Sequence, residues 1–279
     1  MLKNSSIGIT VYPTTYRFPL PCIVWTPDSY DPVNKKYPLI IFGHGLGEAG
    51  TNLSILFNNG LPAVLKAGFI PPFDCVILMP QSPSYGIHPE WLPQMVKSAI
   101  ASYSIDASRI YLTGLSAGGF MCYGSVLDVF QGFGSTFAAI AVLSGATQDA
   151  NTNNIGWWKS SPVPVWAIVG GLDGSYVDEN KFLIGLINAQ APGAAKLSIR
   201  PGIGHGGWTD IYQGIFKENG QTVWDWLIQF TNGLLLPPPP SIVSAQLNFT
   251  DGTSAPVQSP KTILSVQANY SDGSARFLT

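Results

Sequence analysis

Residues 114–118 read Gly-Leu-Ser-Ala-Gly, and the serine at their centre, Ser116, could act as a nucleophile. A short apolar, β-prone run at 110–113 precedes them, and apolar residues at helical spacing follow them. The pattern predicts a strand, a sharp turn with the serine at its corner, and a helix, which together present the hydroxyl at the carboxyl edge of a sheet. Alone, the five residues also fit a Gly-rich turn with a buried serine, so the prediction depends on partners elsewhere.

A histidine must accept the serine proton, and the chain has three: His44, His88 and His205. In proteins with such an elbow, the order along the chain is nucleophile, acid, histidine. Only His205 follows the serine, so it is the predicted general base. It lies in a Gly-rich loop at 200–208. We interpret His44 as structural, with its ring holding a glycine loop through hydrogen bonds.

An acid must orient this histidine and stabilise the imidazolium. The acidic residues between the serine and the histidine are Asp128, Asp149, Asp173, Asp178 and Glu179. Asp173 follows a buried-strand pattern that ends in glycines, which places it at the same sheet edge as the serine, and it is the predicted acid. Asp149, after a strand predicted at 137–143, is the alternative. Asp178 and Glu179 fit the first turn of the next helix, where carboxylates favour the helix dipole.

Acyl transfer produces a negative oxygen that two N–H donors must stabilise. One predicted donor is the backbone N–H of Ala117, directly after the serine. The other is expected from residues 43–47, Gly-His-Gly-Leu-Gly, which follow a predicted buried strand. Leu46 is the first choice for this donor, and Gly45 is the alternative.

Buried strands alternate with helices along most of the chain. Buried-strand patterns occur at 37–42, 73–79, 137–143 and 163–169, and helix-length segments occur at 89–103, at about 178–190 and at 220–232. This alternation predicts an α/β fold, in which a mostly parallel sheet carries helices on both faces. Active sites in such sheets lie beyond the carboxyl ends of the strands, where all three candidate residues are expected.

Residues 237–240 are four consecutive prolines, which continue neither a helix nor a central strand. We therefore predict a catalytic domain at 1–236, a stiff linker at 237–240 and a β-hairpin segment at 241–279. In the last segment, Gln-Leu-Asn-Phe-Thr-Asp-Gly-Thr at 246–253 is echoed by Gln-Ala-Asn-Tyr-Ser-Asp-Gly-Ser at 267–274. Asp-Gly after an alternating run indicates a hairpin turn, and two such hairpins would form about half of an immunoglobulin-like module.

Composition limits the kinds of molecule that this chain is expected to bind. The 279 residues carry a net charge of −2, and 11% of them are charged, so no charge pattern favours nucleic acid. No apolar run reaches the roughly 18 residues of a membrane span. Without a Cys-x-x-Cys pair or clustered histidines, neither a metal nor a cofactor is predicted.

The weakly charged polar composition favours an extracellular or periplasmic protein. Its leader is expected to be missing from this chain, because the first residues lack a signal-type apolar segment.

Four segments together carry a resemblance to a known family. They are Gly-His-Gly-Leu-Gly-Glu at 43–48, Arg-Ile-Tyr-Leu-Thr-Gly-Leu-Ser-Ala-Gly-Gly at 109–119, Pro-Val-Trp-Ala-Ile-Val-Gly-Gly-Leu-Asp at 164–173, and Gly-His-Gly-Gly-Trp-Thr-Asp-Ile-Tyr at 204–212. They resemble the α/β-hydrolase superfamily, and within it the polyhydroxybutyrate-depolymerase-like and feruloyl-esterase-like esterases. Proteins described as predicted peptidases share the pattern. The resemblance covers roughly residues 20–232.

This resemblance implies a catalytic triad of Ser116, Asp173 and His205, with Leu46 and Ala117 as oxyanion donors. The sequence departs from the family at two places. Ala117 stands where many relatives have Met, which would change the floor of the pocket. The loop before the acid has Gly-Gly where relatives often have His-Gly.

These observations predict a serine carboxylic-ester hydrolase that forms an acyl-enzyme. The expected substrates are carbohydrate-linked acyl esters, such as feruloyl or acetyl esters, or a polyester. Activity is expected to fall below about pH 6 as the histidine becomes protonated. Trp208, Trp157 and Trp158 are candidates for the substrate pocket, since loop tryptophans can border aromatic acyl or sugar rings.

Two alternatives stay open. A serine peptidase on the same scaffold would cleave peptide amides in preference to esters. A carbohydrate-binding protein with an inactive hydrolase core would use the same fold without chemistry. The presence of serine, aspartate and histidine at the three triad positions argues against the second alternative.

Overall fold

A computed structural model of the chain describes residues 1–10, 17–125, 136–147 and 162–232, together with three strands nearer the carboxyl end. Contacts between residues divide the chain into two compact units, Met1–Leu234 and Leu235–Thr279. None of the helices in the described ranges combines the length and apolar character needed to cross a bilayer.

The first unit contains eight strands and six α-helices among its described residues. Its strands are β1 (Leu2–Thr10), β2 (Arg17–Trp25), β3 (Tyr37–Gly43), β4 (Val76–Pro80), β5 (Ile105–Leu115), β6 (Ala139–Leu143), β7 (Val165–Gly170) and β8 (Ala195–Arg200). Its helices are α1 (Gly60–Lys66), α2 (Leu92–Ser102), α3 (Ala117–Gly124), α4 (Ser175–Gln190), α5 (Trp208–Tyr212) and α6 (Val223–Leu227).

The eight strands form one sheet in the order β1-β2-β4-β3-β5-β6-β7-β8. Strand β2 is antiparallel to both of its neighbours, β1 and β4, whereas all pairs from β4 across to β8 are parallel. The prediction of an α/β fold with a mostly parallel sheet is therefore confirmed. Beyond β3 the chain adds β4 on one side and then returns to place β5 on the other. Such a reversal opens a crevice at the carboxyl ends of the strands.

Every residue of β3, β4, β6 and β7 is buried. Strands that are covered on both faces need apolar side chains at successive positions rather than at alternate ones. This is why the sequence shows continuous apolar runs at these strands. A sheet buried in this way gives the loops at its carboxyl edge a rigid base.

Close backbone packing explains the two glycines of the elbow. A Cβ added to Gly114 would lie 2.5 Å from the carbonyl oxygen of Gly118, and one added to Gly118 would lie 2.0 Å from the carbonyl oxygen of Gly43. No side chain fits at these distances, so helix α3 can approach β3 and β5 this closely because these positions are glycine. The close approach fixes where the helix begins, and hence where Ser116 lies.

Two helices differ from their predicted limits. Helix α4 was expected at about 178–190 and begins at Ser175, because Gly174, with φ 58°, turns the chain into the helix directly after Asp173. Helix α6 spans five residues within the predicted segment 220–232 and begins with a capping box between Thr222 and Asp225.

The second unit contains a three-stranded antiparallel sheet. Its strands are β9 (Ile242–Phe249), β10 (Ile263–Tyr270) and β11 (Ala275–Leu278), in the order β11-β10-β9. The two echoing segments meet at their first residues, where Gln246 pairs with Gln267, and they run in opposite directions from this pair. Strand β10 is central and pairs with both β9 and β11. The proline linker lies outside the described residues, and the immunoglobulin-like module stays a prediction.

Candidate active site

Ser116 lies at the corner between β5 and α3. Its backbone has φ 51° and ψ −114°, a region that non-glycine residues seldom adopt and that costs about 1–3 kcal/mol. The corner is held from the adjacent strand, because the Ser116 N–H donates to the carbonyl of Leu143 in β6 at 2.9 Å. This turn presents the hydroxyl at the carboxyl edge of the sheet.

His205 and Asp173 reach the same edge from the loops after β8 and β7. His205 Nε2 lies 2.9 Å from Ser116 Oγ, and His205 Nδ1 lies 2.8 Å from Asp173 Oδ1. An ionised carboxylate only accepts, so Nδ1–H donates to the acid and Nε2 accepts from the serine hydroxyl. The histidine side chain is 37% exposed and that of the acid only 2%. This arrangement can move a proton from serine to imidazole while a buried carboxylate holds the ring.

The other candidate acids do not join this arrangement in the described structure. Asp178 is exposed and pairs with Lys181 at 2.9 Å on the surface of α4. Glu179 lies in the same helix. Asp149, the alternative acid, lies outside the described residues.

The glycine loop after β3 lies directly beside the nucleophile, because a Cβ built on Gly45 would lie 3.6 Å from Ser116 Cβ. Leu46 begins a short 3₁₀ helix and Ala117 begins α3, so their N–H groups have no acceptor within their own helices. The choice between Leu46 and Gly45 as the donor from this loop stays a prediction.

Two aromatic rings contact the imidazole of His205. The ring of Tyr176, in the first turn of α4, has its centroid 4.7 Å from that of the imidazole, at an interplanar angle of 37°. Trp208 meets the imidazole edge-on, at 5.0 Å and 90°. Trp208 is 7% exposed and donates its indole N–H to Ser144 Oγ at 3.2 Å. Most of its surface therefore packs within the protein, and its contact with substrate stays a prediction.

The other predicted pocket residues, Trp157 and Trp158, lie outside the described residues. Sequence reasoning did not single out Tyr176. The signal that could have found it is its position three residues after Asp173, because the first turn of a helix that starts at the catalytic edge must border the same site. Its ring also meets the edge of Phe120 from α3 at 6.2 Å.

No family model matches the sequence, and the search of curated proteins found no match. The structure is similar to that of a thermostable esterase, with 20% identity and a TM-score of 0.60 over 82% of this chain and 63% of that one. It is also similar to a mutant feruloyl esterase module from Clostridium thermocellum in complex with sinapinate, with 19% identity and a TM-score of 0.57 over 82% and 88% of the two chains. The protein has the α/β-hydrolase fold.

A third structure with similarity to this hydrolase fold is a ferulic acid esterase from the anaerobic fungus Anaeromyces mucronatus. Its identity is 17% and its TM-score 0.53, over 81% of this chain and 92% of that one. The present chain spans less than two thirds of the thermostable esterase. At these identities the similarity establishes the fold, and the chemistry must be argued from the site.

A buried histidine holds the glycine loop of this hydrolase fold. His44 is 1% exposed, and its Nδ1 lies 2.6 Å from the carbonyl oxygen of Gly45. The N–H of Ser82, after β4, donates to its Nε2 at 2.9 Å. The ring is therefore a neutral tautomer with the proton on Nδ1, which donates to the loop carbonyl. The hydrogen bonds predicted for this ring are confirmed.

Burial lowers the pKa of His44 below its ordinary value, because the charged ring would lose its hydration. The unfolded chain binds a proton there below about pH 6.5, and the folded chain binds it only at lower pH. Folded stability should therefore decrease as pH falls through this window, by up to about 1.4 kcal/mol per pH unit from this group.

Urea unfolding of wild type and His44→Gln at pH 7.5 and pH 5.5 measures this contribution. The wild type is expected to lose on the order of 1 kcal/mol more than the variant over this interval, because glutamine does not titrate. The comparison of changes, rather than of absolute stabilities, removes any general destabilisation of the variant. Equal losses of stability in both proteins would show that the pKa of this ring is the same in the folded and the unfolded chain, and would contradict the prediction.

Proposed function

We propose that this chain is a serine carboxylic-ester hydrolase in which Ser116 is the nucleophile, His205 the general base and Asp173 the orienting acid. The observation that carries the proposal is the continuous line of hydrogen bonds, 2.9 Å and 2.8 Å long, that joins these three side chains. They come from three loops at one edge of a parallel sheet, where such sheets bind ligands. The esterases among the similar structures support the same assignment.

In the first half of the reaction, Ser116 Oγ attacks the ester carbonyl carbon while its proton passes to His205 Nε2. The carbonyl oxygen becomes an oxyanion that accepts hydrogen bonds from the backbone N–H groups of Leu46 and Ala117. The tetrahedral intermediate then collapses, and the C–O bond to the alcohol breaks. The imidazolium gives its proton to the departing alcohol, which leaves an acyl group on the serine.

In the second half, a water molecule attacks the acyl carbon and gives a proton to His205 Nε2. Collapse of this second intermediate breaks the bond to Ser116 Oγ, which takes the proton back, and the carboxylic acid leaves. Asp173 keeps Nδ1 protonated throughout and stabilises the imidazolium in each half. The buried position of this carboxylate excludes water that would otherwise compete for the ring.

We further propose carbohydrate-linked acyl esters as substrates, with an aromatic acyl group such as feruloyl as the first choice, and acetyl esters or a polyester as the others. Apolar side chains around the site support this choice: Leu46, Tyr85 and Leu172 are 54%, 50% and 71% exposed. Leu46 lies in the donor loop, and Leu172 directly precedes Asp173. Tyr85 precedes Gly86, where an added Cβ would lie 3.0 Å from Ala117 Cβ. The feruloyl and ferulic acid esterases among the similar structures support it too.

A panel of substrates tests the proposal. The purified chain would be assayed with methyl ferulate, acetylated xylan, a short-chain p-nitrophenyl ester, a polyester film and a peptide p-nitroanilide, alongside labelling by a fluorophosphonate. Hydrolysis of esters and labelling at Ser116 are the expected results. Preference for the peptide amide would instead identify a serine peptidase. Absence of both labelling and turnover would favour a binding protein on an inactive hydrolase scaffold.

A further inference from the structure

A buried carboxylate lies beneath the loop that carries the proposed oxyanion donor. Glu48 ends the 3₁₀ helix of this loop and is only 9% exposed. Its backbone N–H donates to the carbonyl oxygen of Gly45 at 3.2 Å, which closes the turn of this loop. Burial raises the pKa of this carboxyl above its ordinary value, since ionisation there is poorly hydrated. A charged group in this position is costly for the fold, so its presence calls for an explanation.

The carboxylate packs directly against the backbone of Gly45. A Cβ added to this glycine would lie 2.9 Å from Glu48 Oε2, 2.8 Å from a methyl carbon of Leu115 and 3.6 Å from Ser116 Cβ. The carboxylate and the nucleophile's turn therefore both border the space that a side chain at this position would occupy. Any displacement of the carboxylate leaves room for the loop to move relative to the serine.

The backbone of Glu48 is itself held in place from the end of β4. Gln81, which is fully buried, donates its side-chain N–H₂ to the carbonyl oxygens of Glu48 at 2.9 Å and of Asn52 at 3.0 Å. The N–H of Gly50 donates to the carbonyl of Ser82 at 2.8 Å. The carboxylate therefore acts from a fixed base and transfers the rigidity of the sheet edge to the donor loop.

The carbonyl oxygen of Gly45 is held by two donors. It accepts from the ring of His44 at 2.6 Å and from the backbone N–H of Glu48 at 3.2 Å. The peptide bond between Gly45 and Leu46 is planar, so the direction of this carbonyl determines the opposite direction of the Leu46 N–H. With this carbonyl held and the Gly45 backbone packed against the carboxylate of Glu48, the Leu46 N–H has one orientation.

We propose that Glu48 is a positioning residue, which holds Gly45 so that the Leu46 N–H points at the site where the oxyanion forms. This inference rests on the proposed esterase function. A negative charge here would oppose the charge of the oxyanion, so the benefit of the carboxylate comes from its packing against Gly45 rather than from its field. Oxyanion stabilisation depends on donors that are already in place when the charge develops.

Three variants test this role: Glu48→Ala, Glu48→Gln, and Glu90→Gln as a matched control at an exposed glutamate. With p-nitrophenyl acetate, Glu48→Ala is expected to lower kcat by about 10- to 100-fold and to change KM by less than about threefold. Glu48→Gln keeps nearly the size of the glutamate side chain and should fall between Glu48→Ala and wild type, whereas Glu90→Gln should match wild type. The rate of fluorophosphonate labelling should fall in parallel with kcat, because the phosphonyl oxygen occupies the same hole.

Thermal unfolding and far-UV circular dichroism show which variants are folded at the assay temperature, and the glutamine variant provides the answer if the alanine variant does not fold. A folded Glu48 variant with the kcat of wild type would overturn the inference, and so would a loss that lies in KM alone. Undiminished turnover by Ser116→Ala in the same assay would instead overturn the proposed function, and the role of Glu48 with it. Loss of turnover in Ser116→Ala together with normal kcat in both Glu48 variants would leave the esterase and refute only the positioning role.

Discussion

Replacing Ser116 by alanine is expected to lower kcat for p-nitrophenyl acetate by about 10⁴- to 10⁶-fold. A methyl group cannot attack the carbonyl, and His205, which lies 2.9 Å from the hydroxyl, loses the proton that it would accept. Any residual rate above that of water alone would come from the oxyanion donors and from substrate binding. Steady-state kinetics measure kcat. The concentration of active sites is taken from the folded fraction of the protein, because the variant has no nucleophile that an active-site label could count.

The same variant should leave the fold intact. Alanine retains the Cβ, so the strain at φ 51° persists, and the midpoint of thermal unfolding is expected to stay within about 3 °C of wild type. Ser84→Ala, at an exposed serine on the loop after β4, is the matched control and should keep full activity. Turnover by Ser116→Ala near the wild-type value would show that another group attacks the ester.

Changing Asp173 to asparagine is expected to lower kcat by about 10³- to 10⁴-fold with little change in KM. The carboxylate accepts a hydrogen bond from His205 Nδ1 at 2.8 Å, which keeps the proton off Nε2. An asparagine can present its N–H₂ group to Nδ1, and this would stabilise the tautomer whose Nε2 is protonated and unable to accept from serine. It also removes the negative charge that stabilises the imidazolium.

Stability provides a second measurement for Asp173→Asn. Within the described residues, the other carboxylate oxygen, Oδ2, has no hydrogen-bond partner in the protein, and asparagine has nearly the same size and shape as aspartate. The midpoint of thermal unfolding of the variant should therefore stay within about 3 °C of that of wild type. Asp178→Asn, at an exposed acid five residues along the chain, should keep wild-type kcat. A large loss in Asp178→Asn with none in Asp173→Asn would reassign the acid.

The elbow and the parallel sheet were predictable because both depend on contiguous stretches of chain. Residues 110–118 contain the strand, the turn and the start of the helix, so local propensity and glycine positions are sufficient. The continuous apolar runs of β3, β4, β6 and β7 reveal strands that are buried on both faces. His205 followed from the order of the three histidines relative to the serine. The limits of α4 and α6 were less predictable, because a single left-handed glycine or a capping pair shifts them.

The sequence by itself therefore determined the order and type of the elements and the small set of groups that could meet at one sheet edge. The tertiary structure alone shows which contacts form: Asp173 lies 2.8 Å from His205, whereas Asp178 pairs with Lys181 on the surface. It also brought Tyr176 onto His205 and packed Glu48 against Gly45. These choices depend on loop conformation and side-chain packing between segments far apart in the chain, where differences of a few ångströms decide whether a hydrogen bond forms. Residue types and spacing carry no information at that scale.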